Sequence, residues 1–184
     1  MPEDELELVE RAKADPEAFG PLYERYLGRV YNYIYHRTGS VSEAEDLTER
    51  VFLQALSHLP SYTYRGLPFS VWLFRIAHNV LANWYRDGKR RQTVSIDDQV
   101  SAGEEPTSGF DDIDIEDSAL LKKAVANLSP ERQQLILLKF VEELPHAAIG
   151  QIMGRSEGAV KALLHRTLKA LKKDLQEAVP GYRE

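Results

Sequence analysis

LSPERQQLILLKFVEELPHAAIGQIMGRSEGAVKALLHRTLKAL, residues 128–171, reads as helices broken by one tight turn. Ser129-Pro130-Glu131 opens a helix with a capping hydroxyl, a proline at the first helical position and an acid in the first turn. That helix is predicted to reach about Glu142, and a short one runs from Pro145 to Met153. Gly154-Arg155 makes the turn, which lets two helices meet at a sharp angle. Ser156 caps a last helix to about Ala178. Ala148, Ile149, Ile152, Val160, Leu163, Leu164 and Leu168 recur at helical spacing and would close a small core. Opposite them, Glu157, Lys161, His165, Arg166 and Lys169 are placed toward solvent, and Arg155 of the turn and Ser156 of the cap join them as candidate DNA contacts. A helix fits the major groove, its first residues reaching base edges while nearby cations hold phosphates. A basic helix alone would be ordinary surface. Short helix, glycine turn, serine cap and basic helix in succession read as a helix-turn-helix.

A second informative stretch precedes it: PFSVWLFRIAHNVLANWYRDGKRR, residues 68–91. A helix is predicted from Pro68 to about Arg86, with Gly88 beyond it. Phe69, Trp72, Leu73, Ile76, Ala77, Val80 and Trp84 form a wide apolar face. Arg75, Asn79, Asn83 and Arg86, spaced four, four and three, stand together on another. Asparagine is a poor helix former, so two of them in mid-helix cost stability. Two amides between two guanidiniums suit base edges and phosphates. The loop before this helix offers Tyr62, Tyr64 and Arg65, which can stack on an unstacked base. Upstream, Asp15-Pro16-Glu17 starts a helix to about Thr38, with Pro21 inside it and Gly39 as its stop. Ser42-Glu43-Ala44-Glu45 reads as a capping box for a helix to about Leu59.

Net charge is -6, which by itself argues against nucleic acid. Its distribution reverses the argument. Nine acids and no Lys or Arg lie between Gln92 and Ser118; without them the chain carries 23 basic against 20 acidic residues. Local charge governs phosphate contact. With its Gly, Ser and Pro, the same stretch reads as a flexible tether rather than a calcium loop, since it lacks spaced ligands. The expected architecture is all-α: two small helical domains, residues 1–91 and 118–184, joined by a flexible acidic linker, residues 92–117.

Other classes find little support. Cysteine is absent, so thiolate catalysis, disulfides and Cys-based zinc sites are excluded. The five histidines, His36, His58, His78, His146 and His165, show no metal-ligand spacing, and no Gly-rich phosphate loop occurs. Glu142 and Glu143 are adjacent and so point apart on a helix. The acidic, amphipathic start reads as no signal peptide, and no apolar run suffices for a membrane span. A cytoplasmic protein without catalytic, metal or cofactor sites is expected. On these residues alone the open readings include a stand-alone helix-turn-helix regulator binding duplex DNA as a dimer and a helical adaptor whose surfaces bind only protein.

The two stretches in this order resemble the conserved regions of an extracytoplasmic-function (ECF) sigma factor of the sigma-70 family. Trp72-Leu73-Phe74-Arg75-Ile76-Ala77 followed by Asn79 resembles the segment that melts and reads the minus-ten element. The loop of residues 61–67 corresponds to the one that captures a flipped base. The resemblance thus implies minus-ten contacts for Tyr62, Tyr64, Arg65, Arg75, Asn79, Asn83 and Arg86. Ser156-Glu157-Gly158, Val160-Lys161 and His165-Arg166 look like the signature that reads the minus-thirty-five element. Two positions depart: Ala159 replaces a common hydroxyl residue and Leu163 a common Arg, each a lost phosphate contact. The helix from Ser42 resembles the segment that docks on the clamp helices of the largest polymerase subunit, through Asp46, Glu49, Arg50 and Leu53. Glu49 and Arg50 stand where the family has Gln then Glu, reversing one charge. The implied partners are core RNA polymerase (clamp helices and the flap of the second-largest subunit), promoter DNA and an anti-sigma factor, with no membrane insertion.

The acids of the tether are expected to screen the basic helices of the free protein. Replacing residues 97–117 by a neutral Gly/Ser linker of equal length should raise nonspecific DNA affinity at low salt while runoff transcription survives. Flat affinity would make the acids a solubility device only.

Overall fold

The computed structural model describes residues 3–92 and 115–178, and every regular element among them is a helix. The helices up to Gln92 make up most of one compact unit, and those from Ile115 make up most of a second. The body of the expected tether, residues 93–114, lies outside the described residues. Its edges are helical: Gln92 ends one helix, and Ile115-Glu116-Asp117 begin another. Acids in a first helical turn complement its dipole, so a charge run read as linker can also start a helix.

In the first unit α1 spans Glu3–Ala14, an element the sequence suggested only by its amphipathic pattern. Asp15 then caps a 3-10 turn, Pro16–Phe19, its side chain accepting from the Glu17 N–H at 3.0 Å. α2 follows as Gly20–Thr38. Pro21 sits in its first turn, where no N–H is needed, so the expected single helix is a tight turn running into a new one. Gly39 closes α2 at φ 65, in the left-handed region that glycine adopts without penalty. α3 is Val41–His58, and its cap is Ser40, not Ser42. The Ser40 hydroxyl accepts from the Glu43 N–H at 3.4 Å, placing the capping box two residues earlier than its sequence reading. After a 3-10 turn, Leu59–Ser61, and an irregular loop comes α4, Phe69–Gln92. It continues through Gly88, past the predicted end at Arg86. α2, α3 and α4 pack together, burying Leu22, Ile34, Leu47, Phe69, Phe74 and Leu81 almost completely.

In the second unit α5 is Ile115–Ala126, and α6 is Pro130–Ile136 continued by a π-helical turn, Leu137–Val141. α7 is His146–Met153 and α8 is Glu157–Ala178. Leu135, Leu138, Ala148, Ile149, Ile152 and Val160 are buried. Leu168, placed in the core by its spacing, is 41% exposed. Thr167 takes the inward position, donating its hydroxyl to the Leu163 carbonyl at 2.8 Å. Its methyl packs while the hydroxyl is satisfied within the helix.

The turn between α7 and α8 depends on two glycines. Gly154 adopts φ 66, as its sequence role requires. Gly150 does something the sequence did not reveal: a Cβ there would lie 2.6 Å from the Arg155 carbonyl oxygen. Alanine normally stabilises a helix by about 1 kcal/mol over glycine. Here the clash is with backbone, so the sign reverses. Gly150→Ala should destabilise the second unit by about 1–3 kcal/mol, seen as a lowered thermal midpoint of the full chain by circular dichroism.

Candidate nucleic-acid interface

α4 is held from behind between Phe69 and Tyr85. Phe69, Leu73, Phe74, Ala77, Val80 and Leu81 are buried, and this fixes the rotation of the helix. Near its far end the Trp84 indole donates to Glu43 Oε2 at 2.6 Å. The Tyr85 hydroxyl donates to the Arg37 carbonyl, and the Arg37 guanidinium lies 5.6 Å from the Tyr85 ring centre. Trp72 and Trp84 are half-buried, on the packed side as their spacing suggested. The outward face is then determined. Arg75, Asn79, Asn83 and Arg86 are all exposed on it, and Arg86 makes a loose pair with Asp87 at 4.0 Å. This stripe is available to bases and phosphates.

The loop before α4 divides its aromatic residues. Tyr64, 41% exposed, and Arg65 face solvent. Tyr62 is 7% exposed, its ring 5.4 Å from Phe69 and 5.1 Å from Trp72. Burial first, then the charge of Glu5, raises its phenol above the ordinary tyrosine value. Tyr62 anchors the loop from below, so Tyr64 is the ring free to stack. The sequence named both because a loop tyrosine carries no sign of burial.

On α3, Asp46, Glu49, Arg50 and Leu53 are exposed, and Leu53 reaches 59%. Leu47 and Val51 are buried and Leu56 half-buried, the alternation expected of a helix with one docked face. Beside them lies a groove of about 380 Å³ that the sequence did not disclose. Tyr23, Leu27 and Tyr31 of α2 line it with Phe52 and Leu53 of α3, and Glu45 and Glu49 add charge.

On α8 the Ser156 hydroxyl accepts from the Ala159 N–H at 3.2 Å and so caps the helix. Glu157, Lys161, His165, Arg166 and Lys169 are exposed, as expected. Several are already engaged. Arg155 pairs with Glu131, and Lys161 with Glu157 at 2.7 Å. The Arg166 Nε–H donates back to the Ala162 carbonyl at 3.3 Å. The hydrogen bond from Lys161, then its charge, holds the Glu157 carboxyl below the usual range. A depressed carboxylate keeps its pair through neutral pH and releases it only as pH falls through the lowered value. Leu163 is 7% exposed, so its departure from the family pattern falls in the core and not on the exposed face of α8. Among the described residues no group of His, Asp and Glu could hold a metal ion.

Sequence comparison assigns the same two segments. Sigma-70 region 2 matches residues 22–91, and Sigma-70 region 4 matches residues 118–171. The chain is 39% identical over 169 residues to the ECF RNA polymerase sigma factor BldN of Streptomyces coelicolor. It is 31% identical over 178 residues to the ECF RNA polymerase sigma factor SigW of Bacillus subtilis, covering 90% of this chain and 92% of SigW. This chain belongs to the ECF sigma factors. It spans 64% of the length of BldN, with 90% of its own residues in the match. The fold of this ECF sigma factor is that of RpoE of Bartonella quintana, solved with the anti-sigma factor NepR: TM-score 0.72, 20% identity, 86% of this chain and 96% of RpoE covered. It is also that of CnrH, solved with the cytosolic domain of CnrY: TM-score 0.69, 18% identity, 95% and 99% covered. No described helix of the factor is long and apolar enough to cross a membrane.

The Glu157–Lys161 pair restrains one of the exposed cations of α8. Glu157→Gln should therefore strengthen nonspecific duplex binding and steepen its log-log salt dependence by about 0.9, one phosphate contact. Binding titrations at several salt concentrations check it; an unchanged slope means Lys161 never reaches phosphate.

Proposed function

We propose that the factor directs core RNA polymerase to specific promoters and opens the minus-ten element by contacts from α4 and the loop before it. The observation that carries this reading is the exposed Arg75-Asn79-Asn83-Arg86 stripe on a helix whose rotation is fixed by a buried face. Tyr64 and Arg65 stack on a flipped non-template base, Arg75, Asn79 and Asn83 read the single strand, and Arg86 holds its backbone. No cofactor enters and no bond is made or broken by the factor: stacking energy is exchanged for protein contacts. In the second unit Lys161, His165, Arg166 and Lys169, with Arg155, Ser156 and Glu157 at the helix start, hold the minus-thirty-five duplex. Asp46, Glu49, Arg50 and Leu53 dock on the clamp helices of the polymerase, and the apolar groove beside them extends that contact. The carboxy-terminal unit meets the flap. RpoE bound to the anti-sigma factor NepR supports a similar inhibitor for this chain, which would then act in the bacterial cytoplasm.

Asn79→Ala tests this reading. The side chain is exposed, so folding and polymerase binding should be retained. A good base contact contributes about 1–3 kcal/mol, so promoter opening should fall by about fivefold to a hundredfold. Permanganate footprinting of the transcription bubble, with polymerase binding measured in parallel, gives the answer. An unchanged bubble removes α4 from the reading face.

A further inference from the structure

α1 precedes the segment matched to Sigma-70 region 2, which begins at residue 22. It carries a buried carboxylate all the same. Glu5 is 3% exposed, and Tyr26 of α2 donates its hydroxyl to Glu5 Oε1. Glu5 Oε2 is buried with no hydrogen-bond partner among the described residues. Burying a carboxylate is costly, and an apolar residue at this position would attach α1 to α2 without that cost. The pair must therefore be judged by what it fixes.

It leads to the loop. The Tyr26 ring centre lies 5.8 Å from that of Phe69, the first residue of α4. Phe69 contacts Tyr62 at 5.4 Å and Trp72 at 5.2 Å, and Tyr62 and Trp72 are themselves 5.1 Å apart. Tyr62 and Phe69 bracket the segment that carries Tyr64 and Arg65. α1 also packs on the 3-10 turn Leu59–Ser61 just before it. Both ends of the loop thus rest on an aromatic cluster whose far side is the Tyr26–Glu5 contact. Arg29, 5.2 Å from the Tyr26 ring and 5.8 Å from Phe74, borders the same cluster.

We propose that Glu5 is a positioning residue for promoter opening: through Tyr26 and Phe69 it holds the 62–69 segment so that Tyr64 and Arg65 stand ready for the flipped base. This rests on the reading of that loop given above. A loop in its competent form for only a fraction of the time binds with its dissociation constant raised by the inverse of that fraction. Loosening its anchors therefore weakens capture without touching any DNA contact.

The test uses the full chain bound to core polymerase and a single-stranded non-template minus-ten oligonucleotide with a fluorescent base at the flipped position. Tyr26→Phe removes one hydroxyl and keeps the ring, so folding is retained; Glu5→Ala removes the acceptor. Both should weaken oligonucleotide binding by about three- to tenfold, the worth of one such hydrogen bond. Affinity for core polymerase and for a minus-thirty-five duplex should not change. Glu5→Gln, which keeps an acceptor for Tyr26, should restore oligonucleotide binding. If Tyr26→Phe leaves oligonucleotide binding intact, or lowers all three affinities together, the inference is overturned. Tyr64→Ala in the same assay separates the two levels. Where Tyr64→Ala weakens capture and Tyr26→Phe does not, only the role of Glu5 falls. Where Tyr64→Ala also has no effect, the reading of the loop fails and this inference fails with it.

Discussion

The first unit is organised by the burial of one side of α4. Fully burying a Phe or Leu side chain contributes about 1.5–3 kcal/mol, and Phe69, Leu73, Phe74 and Leu81 are each at most 1% exposed. A rotation of α4 by one residue would expose several of them at once. The helix therefore has one permitted orientation, and the residues left outside are set by what must go inside. Two further contacts lock the far end: Glu43 receives the Trp84 indole, and Arg37 covers the Tyr85 ring. Glu43 serves twice, because its backbone N–H is also the donor to the Ser40 cap of α3. One glutamate so joins the start of the helix assigned to polymerase docking to the end of the helix assigned to DNA.

The second unit solves a different problem with less material. It is a small set of helices, and its turn is closed by backbone rather than by side chains. The Gly150 carbonyl accepts from the N–H groups of Gly154 and Arg155, and the missing Cβ of Gly150 lets the chain pass close by. Ser156 then restarts the helix at once, so the first exposed residues of α8 follow a rigid corner. Two of the cations here are matched within the protein, Arg155 by Glu131 and Lys161 by Glu157. An exposed ion pair contributes little to stability, so its partners can exchange for DNA without loss of fold.

Much of this was legible in residue order because helix starts are chemically explicit. Asp15-Pro16, Ser129-Pro130 and Ser156 all mark real starts, although the Ser129 hydroxyl expected as a cap makes no capping hydrogen bond, and the Asn stripe was visible as a departure from helix propensity. What failed, failed for local reasons. Two serines two residues apart, Ser40 and Ser42, compete for one cap, and only tertiary packing chooses between them. Gly88 carries a helix penalty of about 1 kcal/mol, which a long helix tolerates. Leu168 and Thr167 exchanged roles because adjacent helical positions differ by 100° and hydrophobicity alone does not fix the phase. The acids of 115–117 looked like tether because charge reads the same in a linker and in a first helical turn. The close approach of Gly150 to the Arg155 backbone and the burial of Tyr62 depend on how the chain folds back on itself, and composition carries no trace of either.

The chain has two tryptophans, and both lie on α4. They sit at opposite ends of the helix in unlike surroundings, Trp72 among the rings of Tyr62 and Phe69 and Trp84 bonded to a carboxylate. The ultraviolet emission of the unlabelled protein is thus almost wholly a signal from this helix. Single replacement of either tryptophan leaves an optical probe at one known end of it, with no dye introduced.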